Sequence, residues 1–65
     1  MNANELYDRL LRAGIIDKIY GKTTAEMINY AEEMIADCDD HVDLFVGLRD
    51  NVFDIHLLMY GDFFA

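Results

Sequence analysis

Apolar residues in the stretch "TTAEMINYAEEMIADC" recur at the spacing of a helix. Met27, Ala31, Met34 and Cys38 follow one another at four, three and four residues, with Ile28 and Ile35 beside them, which predicts a helix from about 24 to 38. Thr23 and Glu26 are spaced as a capping box at its start. The opening "NANELYDRLLRAG" predicts a first helix: Asn2 or Asn4 caps it, Glu5 lies in the first turn, and Leu6, Leu10 and Ala13 share a face. Gly14 can end it in a left-handed conformation. The six residues "IIDKIY" that follow fit a continued helix or a short strand equally well, because so short a run cannot separate the two periods.

The segment "VDLFVGLRDNVFDIHLLMY", residues 42 to 60, fits both periods as well. Read as two strands joined at Asp50 and Asn51, a pair suited to a tight turn, it sets Leu48 against Phe53, Val46 against Ile55, Leu44 against Leu57 and Val42 against Met59. All eight are apolar and on one face, which specifies the register. Read as one helix, it gives Phe45, Leu48, Val52, Ile55 and Met59 in a three-four pattern. Gly47, the Asp50-Asn51 pair and the β-branched and aromatic content favour strands. The expected fold class is therefore α+β, two N-terminal helices packed on a C-terminal antiparallel β-hairpin. An all-α, three-helix arrangement is the alternative.

A chain of 65 residues makes one small domain, 1–65, near the lower size limit for folding alone. Its hydrophobic content of 54% and lack of proline argue for a packed core and against an acidic disordered tail. The single Cys38 excludes an internal disulfide and a four-cysteine zinc site. The acids near the start and the lack of a long apolar run predict neither a secretory signal nor a membrane span. A cytoplasmic location is expected, the host cytoplasm if a phage encodes the chain, and the protein is expected to be a monomer or a weak homodimer.

No enzyme motif is present. The chain has no serine, and its four glycines are scattered singly, which leaves no phosphate loop. A calcium loop begun at Asp37 would put His41, Val42 and Leu48 where an oxygen ligand, a glycine and a glutamate belong. "DDHVD" matches a diphosphate-binding pattern whose enzymes need a large helical cavity, which this length cannot build. His41 and His56 are expected to be surface or half-buried residues, and Cys38 to be packing. No cofactor, no metal and no catalytic role are expected.

Charge is the distinctive property. The net charge is -8; residues 1 to 22 carry four bases against three acids, and residues 23 to 65 carry ten acids against Arg49 alone. Between Lys22 and Arg49 stand seven acids and no base. Glu26, Glu33, Asp37 and Asp40 are seven, four and three residues apart and form a column of about 21 Å if the helix reaches Asp40. Asp39 and Asp43 stand beside it in "IADCDDHVD". Solubility explains acidity but not this uneven placement, which forgoes every stabilising i to i+4 base on that helix.

In length, acidity, lack of a cysteine framework and lack of an enzyme motif, the whole chain resembles the small acidic inhibitors carried by phages and mobile elements, including anti-CRISPR proteins and other DNA mimics. The likeness is one of character and not of motif. It implies binding to a basic, nucleic-acid-binding surface of a bacterial defence or nucleic-acid-processing complex, with no direct contact to nucleic acid or membrane. Glu26, Glu33, Asp37, Asp39, Asp40 and Asp43 are the expected partner-binding residues. The alternative is an antitoxin, immunity or adaptor module that binds through the apolar outer face of the hairpin and the tail residues Phe63 and Phe64.

Overall fold

The first and third helices each open on a side-chain cap. In a computed structural model, which describes residues 2–37 and 40–61, α1 spans Ala3–Arg12, and the Asn2 side chain accepts from the Glu5 N–H at 2.9 Å. Gly14, at φ +79°, turns the chain out of α1 in a conformation that a side chain would disfavour. It leads into α2, Ile15–Ile19, so "IIDKIY" is helical. Ile15, Ile16 and Ile19 are all buried, leaving Asp17 and Lys18 in solvent.

Helix α3, Thr24–Asp37, begins as its sequence predicts. The Thr23 N–H donates to Glu26 Oε1 at 2.9 Å and the Glu26 N–H donates to Thr23 Oγ1 at 3.2 Å, a reciprocal capping box. Met27 and Ala31 are fully buried, and Ile28, Met34 and Ile35 pack around them.

The hairpin expected over 42–60 is not formed. Helices α4, Val42–Asp50, and α5, Val52–Tyr60, occupy the segment, and no strand occurs among the described residues. The α+β expectation is thus corrected to an all-helical fold of five elements, and the single long helix of the alternative is broken in two. The break lies at Asn51, whose backbone N–H and side-chain amide both donate to the Gly47 carbonyl, at 2.9 and 3.0 Å. Burial explains the outcome. A hairpin would put Phe53 and Leu57 in the core, yet they are 59% and 46% exposed, whereas Phe45, Leu48, Val52 and Ile55 are at most 4% exposed. The three-four set covers the surfaces offered by α1 and α3, and that tertiary burial overrides the strand propensity of the residues.

The core runs through all five helices and encloses no buried polar or charged residue among those described. Helix α3 lies chiefly along α4, and α1 touches α2, α4 and α5. The Tyr30 ring meets Phe45 edge-on at 5.9 Å. At the far end, the Gly21 N–H donates to the Tyr60 hydroxyl, and the Tyr20 and Tyr60 rings lie 5.5 Å apart, so the end of α5 is fastened to the α2–α3 turn.

Gly47, which weakens α4 in a propensity reading, is where α1 comes close. A Cβ there would stand 3.0 Å from Leu6 Cδ1 and 3.4 Å from Cδ2, so the Leu6 side chain, only 1% exposed, would have to give by a few tenths of an ångström. Gly47→Ala gains about 0.8–1 kcal/mol of helix propensity and meets this contact, so no net stabilisation is expected. Gly47→Val is expected to lose about 1–3 kcal/mol through overpacking. Urea unfolding of the two variants checks both; a clear gain from alanine would show that α1 stands further off.

Candidate binding surface

Helix α3 places three of the expected residues together. Glu26, Glu33 and Asp37 are exposed and, at separations of seven and four residues, fall within about 20° of one line along the helix. Their span within α3, Thr24–Asp37, is about 16 Å. Asp40 is exposed in the turn before α4. The column of about 21 Å is correspondingly shortened. Asp39 lies outside the described residues, as do Cys38, Phe63 and Phe64.

Asp43 is placed differently. Its carboxylate accepts from the Arg9 guanidinium at 2.7 Å, an exposed ion pair that joins the start of α4 to α1. The hydrogen bond from Arg9 holds the Asp43 carboxyl below the usual carboxylate range. Glu26 is also held low, chiefly by the Thr23 backbone N–H and then by the Thr23 hydroxyl, yet it stays exposed and anionic. Sequence reasoning could not see the Arg9–Asp43 pair, whose members are separated by 34 positions.

The sign of the pH effect follows. A carboxyl whose folded pKa is depressed contributes stability that is whole above its unfolded pKa and is lost as pH falls through the folded value. For Asp43 and Glu26, with ordinary values of 3.8 and 4.5, the loss therefore lies in the acid range and not near neutrality. Asp43→Asn is expected to narrow the difference in urea midpoint between about pH 7 and about pH 3 relative to the parent chain. An unchanged difference would mean that the pair adds nothing in solution.

Around the column the surface is shallow. Lys22, Glu26, Asn29, Tyr30 and Glu33 line an open depression of about 210 Å³. A second, of about 270 Å³, lies between Arg9, Arg12, Ala13, His41 and Leu44. All three arginines are engaged with carboxylates outside α3: Arg9 with Asp43, Arg12 with Asp8 and Arg49 with Asp50. Among the described residues none of these three ion pairs reaches a carboxylate of α3. His56 lies against Tyr60 at 4.4 Å, and among the described residues no three His, Asp or Glu side chains converge as metal ligands.

The hairpin would turn Phe45, Val52, Leu58 and Tyr60 outward; of these Leu58 is exposed, Tyr60 is half-buried, and Phe45 and Val52 are buried, while Phe53 and Leu57, on the hairpin's inner face, are exposed. The available signal was α5 itself, "VFDIHLLMY", in which Asp54 is the only acid and no lysine or arginine occurs. Among the described residues no helix is long and apolar enough to cross a membrane. No family model, curated protein or solved structure matches the chain.

Proposed function

We propose that this chain is a small acidic binding protein that sets the outer face of α3 against a basic, nucleic-acid-binding surface of a bacterial defence or nucleic-acid-processing complex, in the manner of the DNA-mimic inhibitors it resembles. One observation carries the reading: Glu26, Glu33 and Asp37 stand in line on an exposed face of a helix that contains no base. At about 16 Å the line matches the reach of roughly five phosphates along one DNA strand. A groove that holds a phosphate backbone offers bases at that spacing, and docking there releases the counterions that nucleic acid would release. The partner's cation sites supply the specificity, and the chain supplies a rigid template. Asp40 extends the acidic surface beyond the helix end, while Asp43 serves chiefly to fasten α4 to α1.

The test is capture of partners from a bacterial lysate on the intact protein, washed at low and then at high salt. The expected result is a basic nucleic-acid-binding complex that elutes with salt and is displaced by added DNA or RNA. Recovery of a partner that resists salt and ignores nucleic acid would overturn the reading.

A further inference from the structure

Helix α5 ends on a pair of phenols. Tyr20, which closes α2, and Tyr60, the last residue of α5, are far apart in sequence, yet their ring centroids lie 5.5 Å apart at an interplanar angle of 38°. Tyr20 is 67% exposed, and the Tyr60 hydroxyl is held at the same corner by the N–H of Gly21, the next residue after Tyr20. The other two phenols are set differently. Tyr30 meets the ring of Phe45, which has no hydroxyl, and Tyr7 packs against the core. We propose that Tyr20 and Tyr60 form a site of oxidative coupling, at which a one-electron oxidant of the haem peroxidase class, consuming hydrogen peroxide, joins the two rings and locks the end of α5 to the α2–α3 turn. The proposal is independent of the reading above.

The step balances on the two side chains and the peroxide. Each phenol gives up one electron and its hydroxyl proton and becomes a neutral phenoxyl radical, whose unpaired electron is shared with the ring carbons beside the oxygen. A Cε of one ring bonds to a Cε of the other, and the hydrogen on each joined carbon moves to an oxygen, which restores two phenols. The two electrons and two protons released reduce one hydrogen peroxide to two waters. Several features favour this pair. Tyr60 is the acceptor in its hydrogen bond, and a phenoxyl oxygen can accept too, so the Gly21 contact survives loss of the proton. An exposed tyrosine changes rotamer within about nanoseconds, which lets the Tyr20 ring edge reach its neighbour. The chain has no tryptophan, so no indole competes for oxidation. Rings already side by side couple at an effective concentration of about millimolar or above, whereas a second copy must approach against a net charge of -8. The new bond closes a loop that contains α3 and α4, and it restrains the unfolded chain as a disulfide would.

The test treats the intact protein, dilute, with a haem peroxidase and one equivalent of hydrogen peroxide, and reads intact mass and tryptic peptides. Cleavage after Arg9, Lys18, Lys22 and Arg49 puts the four tyrosines on four separate peptides, so any joined pair is identified directly. The expected product is a monomer lighter by two hydrogen atoms, in which peptide 19–22 is joined to peptide 50–65 by a bond that reductant does not break, unlike any link through Cys38. Tyr20→Phe is expected to lower its yield at least about tenfold, and Tyr7→Phe with Tyr30→Phe to leave it within about twofold. Tyr20 is exposed and phenylalanine keeps the ring, so the first variant retains its fold. The purified product is expected to melt at least about 10 °C above the untreated chain. Failure of the pair to couple, a product joined mainly through Tyr7 or Tyr30, or a predominance of dimers that resist reductant overturns the proposal. So does an intramolecular yield that Tyr20→Phe leaves unchanged, or a joined product whose melting temperature does not rise.

Discussion

Leu48→Ala is expected to lower the melting temperature by at least about 10 °C, while Leu57→Ala shifts it by no more than a few degrees. Leu48 is fully buried in the last turn of α4, and its truncation removes about 2–5 kcal/mol through lost transfer energy and a residual cavity. A domain of 65 residues has about 3–10 kcal/mol to lose, and each kcal/mol is worth about 4–8 °C at this size. Leu57 is half in solvent, where substitutions cost about 0.5 kcal/mol. The contrast also tests the architecture. In a hairpin Leu48 and Leu57 share the inner face and suffer comparably, whereas in α4 and α5 one is core and the other is surface. Similar losses in thermal melts of the two variants would contradict the all-helical arrangement.

Neutralising the α3 column, by Glu26→Gln, Glu33→Gln and Asp37→Asn together, is expected to weaken binding to the captured basic partner by about 100-fold and to flatten its salt dependence. Glutamine at position 26 can still serve a capping box, so α3 keeps its start. At about 1 kcal/mol for each interfacial carboxylate, three give about 3 kcal/mol, which is the stated factor. The matched control is Glu5→Gln, Asp17→Asn and Glu32→Gln. It removes the same three charges, also taking the net charge from -8 to -5. Glu32 is on α3 as well, about 120° around from the column. This control is expected to cost less than about threefold, since it changes overall charge and leaves the template. Equal losses from the two triples would mean that net charge alone matters, and the aligned carboxylates would then have no special role.

The parts legible in the sequence were those set by near neighbours. Caps at Asn2 and Thr23, the left-handed Gly14 and the stripe of α3 from Met27 to Met34 each depend on residues within one or two turns, and each is found as its spacing predicts. "IIDKIY" stayed open because Ile15, Ile16 and Ile19 serve either period over so short a run. In residues 42–60, Leu44, Leu48 and Ile55 belong to the hairpin face and are also the buried residues of the helices, so they could not discriminate. The decision fell to Phe45 and Val52 against Phe53 and Leu57, and it was made by α1 and α3, which are distant in sequence. Gly47 misled for the same reason: its meaning is the proximity of Leu6, and no local pattern encodes that. The candidate site divides likewise. Spacing placed Glu26, Glu33 and Asp37 on one line, but neither the turn at Asp40 nor the engagement of Asp43 with Arg9 could be read along the chain.

The fastening of α5 to the α2–α3 turn also gives the molecule an optical signature. The chain has four tyrosines and no tryptophan, so tyrosine emission and near-ultraviolet dichroism are not masked by indole. Tyr60 accepts a hydrogen bond from Gly21 and lies beside Tyr20 and His56, whereas Tyr7 and Tyr30 pack elsewhere against the core. Detachment of the end of α5 would release the Tyr60 hydroxyl and separate two chromophores, whereas Tyr30, edge-on to Phe45, reports on the α3–α4 contact. The chain thus carries its own unlabelled probe for the order in which its helices come apart.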